Sequence, residues 1–195
     1  MKWDGKGKRL DVNYDAVLQW GMFKGAAVRA WAFSSETGYR FVGVRGKPRF
    51  SLRADIASGD RDRKDPRLQS FNPLFPGSSY SGALGLLGPT NLTDFTPAVT
   101  FVVRKNLIVA VEAPSYWRTS TGDGVYLPDL RLLFPASVGQ AKYVATNPGV
   151  LVVWQVMRHV TLQGAITRIF AGSFMEKTFA ANGGLFYSGS FTYRF

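Results

Sequence analysis

Apolar and polar positions alternate with a period of two along most of this chain, most strictly at its end. Over residues 185–195, Leu185, Tyr187, Gly189, Phe191, Tyr193 and Phe195 fall on one side, and Phe186, Ser188, Ser190, Thr192 and Arg194 on the other. Successive side chains of a strand point to opposite faces, so the pattern predicts a strand with one aromatic face and one small, hydroxylated or cationic face. A soluble protein gains little by ending on an exposed aromatic strand, which is an aggregation hazard. A transmembrane β-barrel does gain, because its lipid face must be apolar, its lumen polar and its closing strand paired.

The same pattern recurs upstream. Val12, Tyr14, Ala16, Leu18, Trp20 and Met22 alternate with polar or small residues over a membrane-crossing length, and Lys24-Gly25 predicts a tight turn. The next strand is expected over 27–37, with Arg29, Trp31 and Phe33 towards lipid and Arg29 snorkelling at the rim. A basic, glycine-rich connector over 38–47 follows. Pro48, Phe50, Leu52, Ala54 and Ile56 are then expected outward, and Arg49, Ser51, Arg53, Asp55 and Ala57 inward. Residues 58–91 show little strand character, a loop length unusual in a compact soluble domain but ordinary on one side of a barrel. Further strands are expected over 92–104, 107–118, 143–156 and 160–173, with turns at Arg104-Lys-Asn106 and Arg158-His159 and loops over 119–140 and 174–184. Asn147-Pro-Gly149 is a turn signal that splits 143–156 if it is used. The sum is about eight antiparallel strands whose connections alternate between short and long, with no sign of a second domain or a helical layer. That parity places the C-terminus in the periplasm.

Composition fits this picture. The mean hydropathy of −0.04 cancels in any window when faces alternate, and no apolar run approaches the ~18 residues of a spanning helix. With no cysteine, disulfides and thiol chemistry are excluded. The net charge of +11 suits a cationic pore or a surface facing anionic lipid as well as it suits nucleic acid. The first ten residues are basic but have no apolar core behind them, so they are not a signal peptide; an exported barrel is therefore expected to have its true beginning further upstream.

Several stretches then fall in a familiar order: Ala30-Trp31, Thr37-Gly-Tyr39, Pro48-Arg49, Ala57-Ser-Gly-Asp60, Ser70-Phe-Asn-Pro-Leu-Phe-Pro76, Asn91-Leu92, Tyr116-Trp-Arg118, Trp154-Gln155, Arg158-His159 and Ala171-Gly-Ser-Phe174. Together they resemble the alginate export family of outer-membrane barrels. The resemblance implies roughly eighteen strands in the whole barrel, of which this single domain over 1–195 supplies the C-terminal eight. It also implies a cationic lumen that passes an anionic polysaccharide such as alginate, or a small anionic solute. The last strand is similar to the signal read by the barrel-assembly machinery, with Tyr187, Phe191, Tyr193 and Phe195 as its aromatic positions.

The chemistry of such a pore sets the candidate residues. Each uronate carries a carboxylate, for which an arginine is a bidentate and permanently charged partner. Interleaved acids hold the arginines and keep binding weak enough for the chain to move on. Arg49, Arg53 and Asp55 fit this role, with Glu112 and Arg118 as a second group and Arg194 as a third. Ordinary lumen ion pairs that touch no substrate are the alternative for each of them. Arg61, Arg63, Lys64 and Arg67, interleaved with Asp60, Asp62 and Asp65, lack the turn glycine and terminal glutamate of a calcium loop, and read as a solvated loop near lipopolysaccharide phosphates or in the pore. The one histidine, His159, lies in a turn with no serine or aspartate beside it, so neither a catalytic triad nor a two-histidine metal site is expected. No enzyme activity, cofactor or nucleic-acid partner is expected. Expected partners are outer-membrane lipid, lipopolysaccharide and any periplasmic export protein. The competing functions are a general porin, a structural or adhesive barrel that conducts nothing, and a soluble basic β-protein.

Overall fold

The computed structural model describes residues 2–4, 9–62, 64–74, 85–176 and 183–195. Arg63, residues 75–84 and residues 177–182 of the last loop lie outside the described residues, as do Met1 and residues 5–8. The described chain is all-β, apart from one turn of 3-10 helix over Ala136–Val138.

One sheet contains nearly every strand. In chain order these are β1 (Lys2–Asp4), β2 (Leu10–Phe23), β3 (Ala26–Arg40), β4 (Arg49–Ala57), β5 (Arg67–Leu68), β6 (Leu92–Arg104), β7 (Leu107–Glu112) and β8 (Ser115–Arg118). They continue with β9 (Val125–Tyr126), β10 (Leu132–Phe134), β11 (Tyr143–Thr146), β12 (Gly149–Met157), β13 (Val160–Ala171) and β14 (Gly184–Tyr193). β9 and β10 form a separate hairpin, and β5 runs parallel to the start of β3. Every other pairing is antiparallel.

β7 and β8 lie end to end along β6, separated by Ala113 and Pro114; β11 and β12 lie end to end along β13, separated by Asn147 and Pro148. Proline has no N–H to give the ladder, and both of these breaks contain one, whereas Pro97 lies inside β6 opposite Leu52 without breaking it. The two breaks adjoin each other, and the Asn147 amide donates to the Pro114 carbonyl at 2.8 Å. Counting each broken pair as one gives eight long strands: β2, β3, β4, β6, β7/β8, β11/β12, β13 and β14. β14 pairs with β13 alone and β1 with β2 alone, so the sheet is open, as a part of a barrel wall is.

Two differences from the sequence reading concern strand ends. β3 runs on to Arg40 instead of stopping at Thr37, because Gly38 and Tyr39 keep their pairing with both β2 and β4, and Arg40 pairs with Arg49 of β4. β13 ends at Ala171, where Gly172 turns its amide to the Val144 carbonyl.

The register keeps one face apolar across the sheet. Leu18 stands opposite Trp31, Phe33 opposite Ile56, Phe50 opposite Val99, Val111 opposite Val150, and Ile166 opposite Tyr187. These side chains are largely exposed; Trp20 reaches 81% and Leu18 70%. An exposed apolar band of this extent has hydrocarbon as its natural solvent.

The packed core is elsewhere, at one end of the other face. Leu92, Tyr116, Ala145 and Ile169 of the strands cluster there with Leu87, Val125, Phe134 and Phe174 of the loops. The connections after β4, β8 and β13 all leave from this end, so the long loops fold over the polar face as a cap. The opposite end carries the connections after β3, β6 and β12, the start of β2 with β1 beside it, and the C-terminal residues.

Candidate functional site

Below the cap, the polar face carries a run of charged side chains across four strands. Arg49 on β4 reaches over β3 to β2. Its Nε donates to Asp11 Oδ1 at 3.1 Å and its Nη2 to Asp11 Oδ2 at 2.5 Å, while Nη2 also donates to Glu36 Oε1 at 2.7 Å. Gly38 makes this reach possible, because a Cβ there would stand 2.3 Å from Arg49 Nη2. The guanidinium occupies the volume that any other side chain would fill.

Glu36 stands opposite Arg53, which lies 3.3 Å from Asp55 Oδ2 through its Nε. Asp55 Oδ1 accepts the Ser34 hydroxyl at 2.5 Å, and Asp55 stands opposite Asp94 on β6. Asp94 in turn accepts the Thr96 hydroxyl at 3.4 Å. Alternation placed Arg49, Arg53 and Asp55 on one face; strand pairing adds Asp11, Glu36 and Asp94 to the same run. Those three acids lie on other strands, and only the register brings them to the arginines.

The remaining expected residues are not brought into this run. Glu112 stands on the polar face opposite Ala98 and Gly149. Arg194 is exposed beyond the end of β14, where its backbone amide donates to the His159 carbonyl at 2.9 Å. Arg118 has the same strand parity as Leu92, but it is only 1% exposed. Its guanidinium donates to Ala141 O at 2.7 Å, Gly139 O at 2.6 Å, Asp123 O at 3.1 Å and Thr121 O at 3.3 Å, and lies 3.9 Å from the centre of the Phe174 ring. It is a rivet of the cap, sealed away from any path along the wall.

Asp123 and Asn91, to which the sequence reading gave no site role, complete the cap. Asp123 Oδ2 accepts the Asp60 amide at 2.9 Å and the Ser70 hydroxyl; Oδ1 accepts the Gly124 amide at 2.8 Å and the Tyr126 hydroxyl at 2.6 Å. Asn91 has φ +51° and donates through Nδ2 to Ser120 O at 3.0 Å and Gly124 O at 2.9 Å, while its Oδ1 accepts the Ser120 amide at 2.6 Å. A fully buried asparagine with these partners satisfies its own polar groups and backbone groups of Ser120 and Gly124 in the loop after β8.

Charge is distributed unevenly over the molecule. On the polar face of the strands, Asp11, Asp15, Glu36, Asp55, Asp94 and Glu112 outnumber Arg40, Arg49 and Arg53. The connections between the long strands at the turn end are basic: Arg40, Arg45, Lys47, Arg104, Lys105, Arg158 and Arg194 lie in segments 40–48, 104–107, 157–160 and 194–195, which contain no aspartate or glutamate. Tyr187, Phe191, Tyr193 and Phe195 lie exposed on the apolar face of β14 and its extension. Among the described residues, no group of histidine, aspartate or glutamate is arranged to hold a metal ion.

No curated protein matches the chain. The family model described as Alginate export matches residues 1–184, nearly its whole length. A sheet whose long strands all pair antiparallel, with one face suited to lipid and one lined by charge, agrees with that match, and the chain belongs to the alginate export family of outer-membrane β-barrels, channels that export polysaccharide.

Proposed function

We propose that this wall conducts an acidic polysaccharide, a polyuronate such as alginate, and that the polymer is handled by guanidinium groups held in place by carboxylates. The observation that carries this reading is Arg49 laid flat over Gly38 and clamped by Asp11 and Glu36 on the polar face. An arginine fixed in this way has lost little further freedom when a uronate carboxylate arrives, so recognition is preorganised. The same clamp competes with the substrate, which keeps each contact weak enough for the polymer to step past Arg49 towards Arg53.

The basic turn end supplies the approach. A mouth carrying Arg40, Arg45, Lys47, Arg104, Lys105, Arg158 and Arg194 raises the local concentration of a polyanion before it meets the wall. In the orientation read from strand parity this is the periplasmic mouth, where an exported polymer enters and an acidic face of a periplasmic partner would dock. Glu112 lines the path, Arg194 belongs to the mouth, and Arg118 acts only through the cap. The aromatic positions of β14, ending on Phe195, serve as the assembly signal, and lipopolysaccharide and phospholipid surround the apolar face.

A general porin has one observation in its favour, the surplus of acids along the polar face. Reversal potentials in a salt gradient separate the two readings. The reconstituted barrel is expected to favour anions, and replacing Arg158 and Lys105 with glutamine is expected to weaken that preference. A barrel that favours cations, or that passes polymannuronate and neutral dextran alike, would overturn the polyuronate reading and leave the porin.

A further inference from the structure

The apolar face ends, at the level of the cap, in a polar cleft of about 230 Å³. Arg29, Trp31, Arg61, Gln69, Thr119 and Ser120 line it. Arg29 and Trp31 stand opposite Trp20 and Leu18 in the apolar register, and Thr119 shares a 3.0 Å hydrogen bond with Thr93. The cleft therefore opens towards lipid, on the side away from the charged run of the wall. Its depth is where the hydrophobic band gives way to polar loops, and tryptophans at that level lie among lipid headgroups.

The walls are tied together. The Trp31 amide donates to Ser58 Oγ at 2.9 Å, Ser58 Oγ to Gln69 O at 2.7 Å, and Ser120 Oγ to Asp60 O at 2.7 Å. No carboxylate of the described residues forms a salt bridge with Arg29 or Arg61. Asp60, beside Arg61 in sequence, is buried and is not among the lining residues; its Oδ1 accepts the Asp62 amide at 3.2 Å. The cleft thus combines two guanidinium groups with hydroxyl and amide groups, and no acid.

We propose that this cleft binds the phosphate of a lipid headgroup in the leaflet at the loop end. Guanidinium forks match phosphate oxygens, and the hydroxyls of Thr119 and Ser120 supply additional donors. A lipid phosphate arrives at this depth with its acyl chains along the apolar band beside Leu18 and Trp20. A soluble anion has no such anchoring.

Native mass spectrometry of the folded barrel with diphosphoryl lipid A as the probe tests this directly. Wild type is expected to retain lipid A at least about tenfold better than a dephosphorylated analogue, a difference worth one charge-assisted contact. Arg29→Ala with Arg61→Ala is expected to abolish that preference, while Arg158→Ala at the far end keeps it. Heat-modifiable migration confirms that each variant is folded, and Arg29→Lys with Arg61→Lys retains part of the preference if the double alanine variant fails to fold. Equal retention of both lipids by wild type would overturn the proposal. So would full retention of the preference by the double variants, or displacement of lipid A by millimolar inorganic phosphate, which marks a free-anion site.

Discussion

The wall and the cap of this protein use arginine in opposite ways. On the wall, Arg49 is shared between two carboxylates and remains beside open space on the polar face. In the cap, Arg118 is enclosed, and its donors end on backbone carbonyls of the loop that follows its own strand. The first arrangement leaves a charge available to a passing anion. The second uses a charge as a scaffold, because buried carbonyls need donors and a guanidinium offers five in a rigid fork. The same side chain at the same strand parity is therefore left beside open space in one place and enclosed in the other, depending only on what covers it.

The largest expected effect breaks the cap. Arg118→Ala leaves four carbonyls without their donor and opens a void over Phe174, which is expected to cost about 3–5 kcal/mol. It should appear as a fall in the temperature at which the barrel loses its compact migration on gels. Arg118→Lys restores the charge but not the fork, and most of the loss should persist. In either variant, the folded fraction should keep wild-type ion selectivity.

Next in size is Gly38→Ala. The added Cβ would overlap Arg49, so the guanidinium must leave Asp11, at an expected cost of about 1–3 kcal/mol. Here selectivity should change along with stability, the reverse of the cap result. Asn91→Ala follows. It removes three hydrogen bonds and the residue type that tolerates φ near +51°, and its expected cost of about 2 kcal/mol falls on the cap alone. Hydrogen exchange should show the 119–126 segment opening before the strands do.

The smallest effect lies in the exposed loops. Arg67 holds the Asp65 carboxyl below its ordinary value of 3.8, and Arg131 does the same to Asp129. A lowered carboxyl stabilises its turn above the ordinary value and loses that contribution as pH falls through the lowered one. Both pairs are exposed, so the contribution stays local and screened. Carboxyl carbon titrations should give midpoints below 3.8 for both, with no accompanying change in the wall.

The wall was legible in the sequence and the cap was not, for a physical reason. Strand faces follow from a period of two, so the sides of Arg49, Arg53 and Asp55 could be read from β4 alone. Their partners Asp11, Glu36 and Asp94 needed the register, which the sequence hints at only through turns such as Lys24-Gly25. The cap rests on contacts such as Asp60 with Asp123, 63 residues apart, which no periodicity records. Arg118 shows the limit most clearly: alternation assigns it to the polar face, but only the folded loops reveal that this part of the face is covered. The break in 143–156 was visible in Asn147-Pro148, whereas Pro114, embedded in Ala113-Pro-Ser115, carried the same signal and was read through.

The most direct test of the contrast is polymannuronate block of single-channel current, compared between Arg49→Ala with Arg53→Ala and Arg118→Ala, each in folded barrels. Current through wild type and the Arg118 variant should be blocked alike, and block should weaken by about tenfold or more when the two wall arginines are gone. Equal block in all three would contradict a working role for the wall arginines, and loss of block in the Arg118 variant alone would move the substrate contact into the cap.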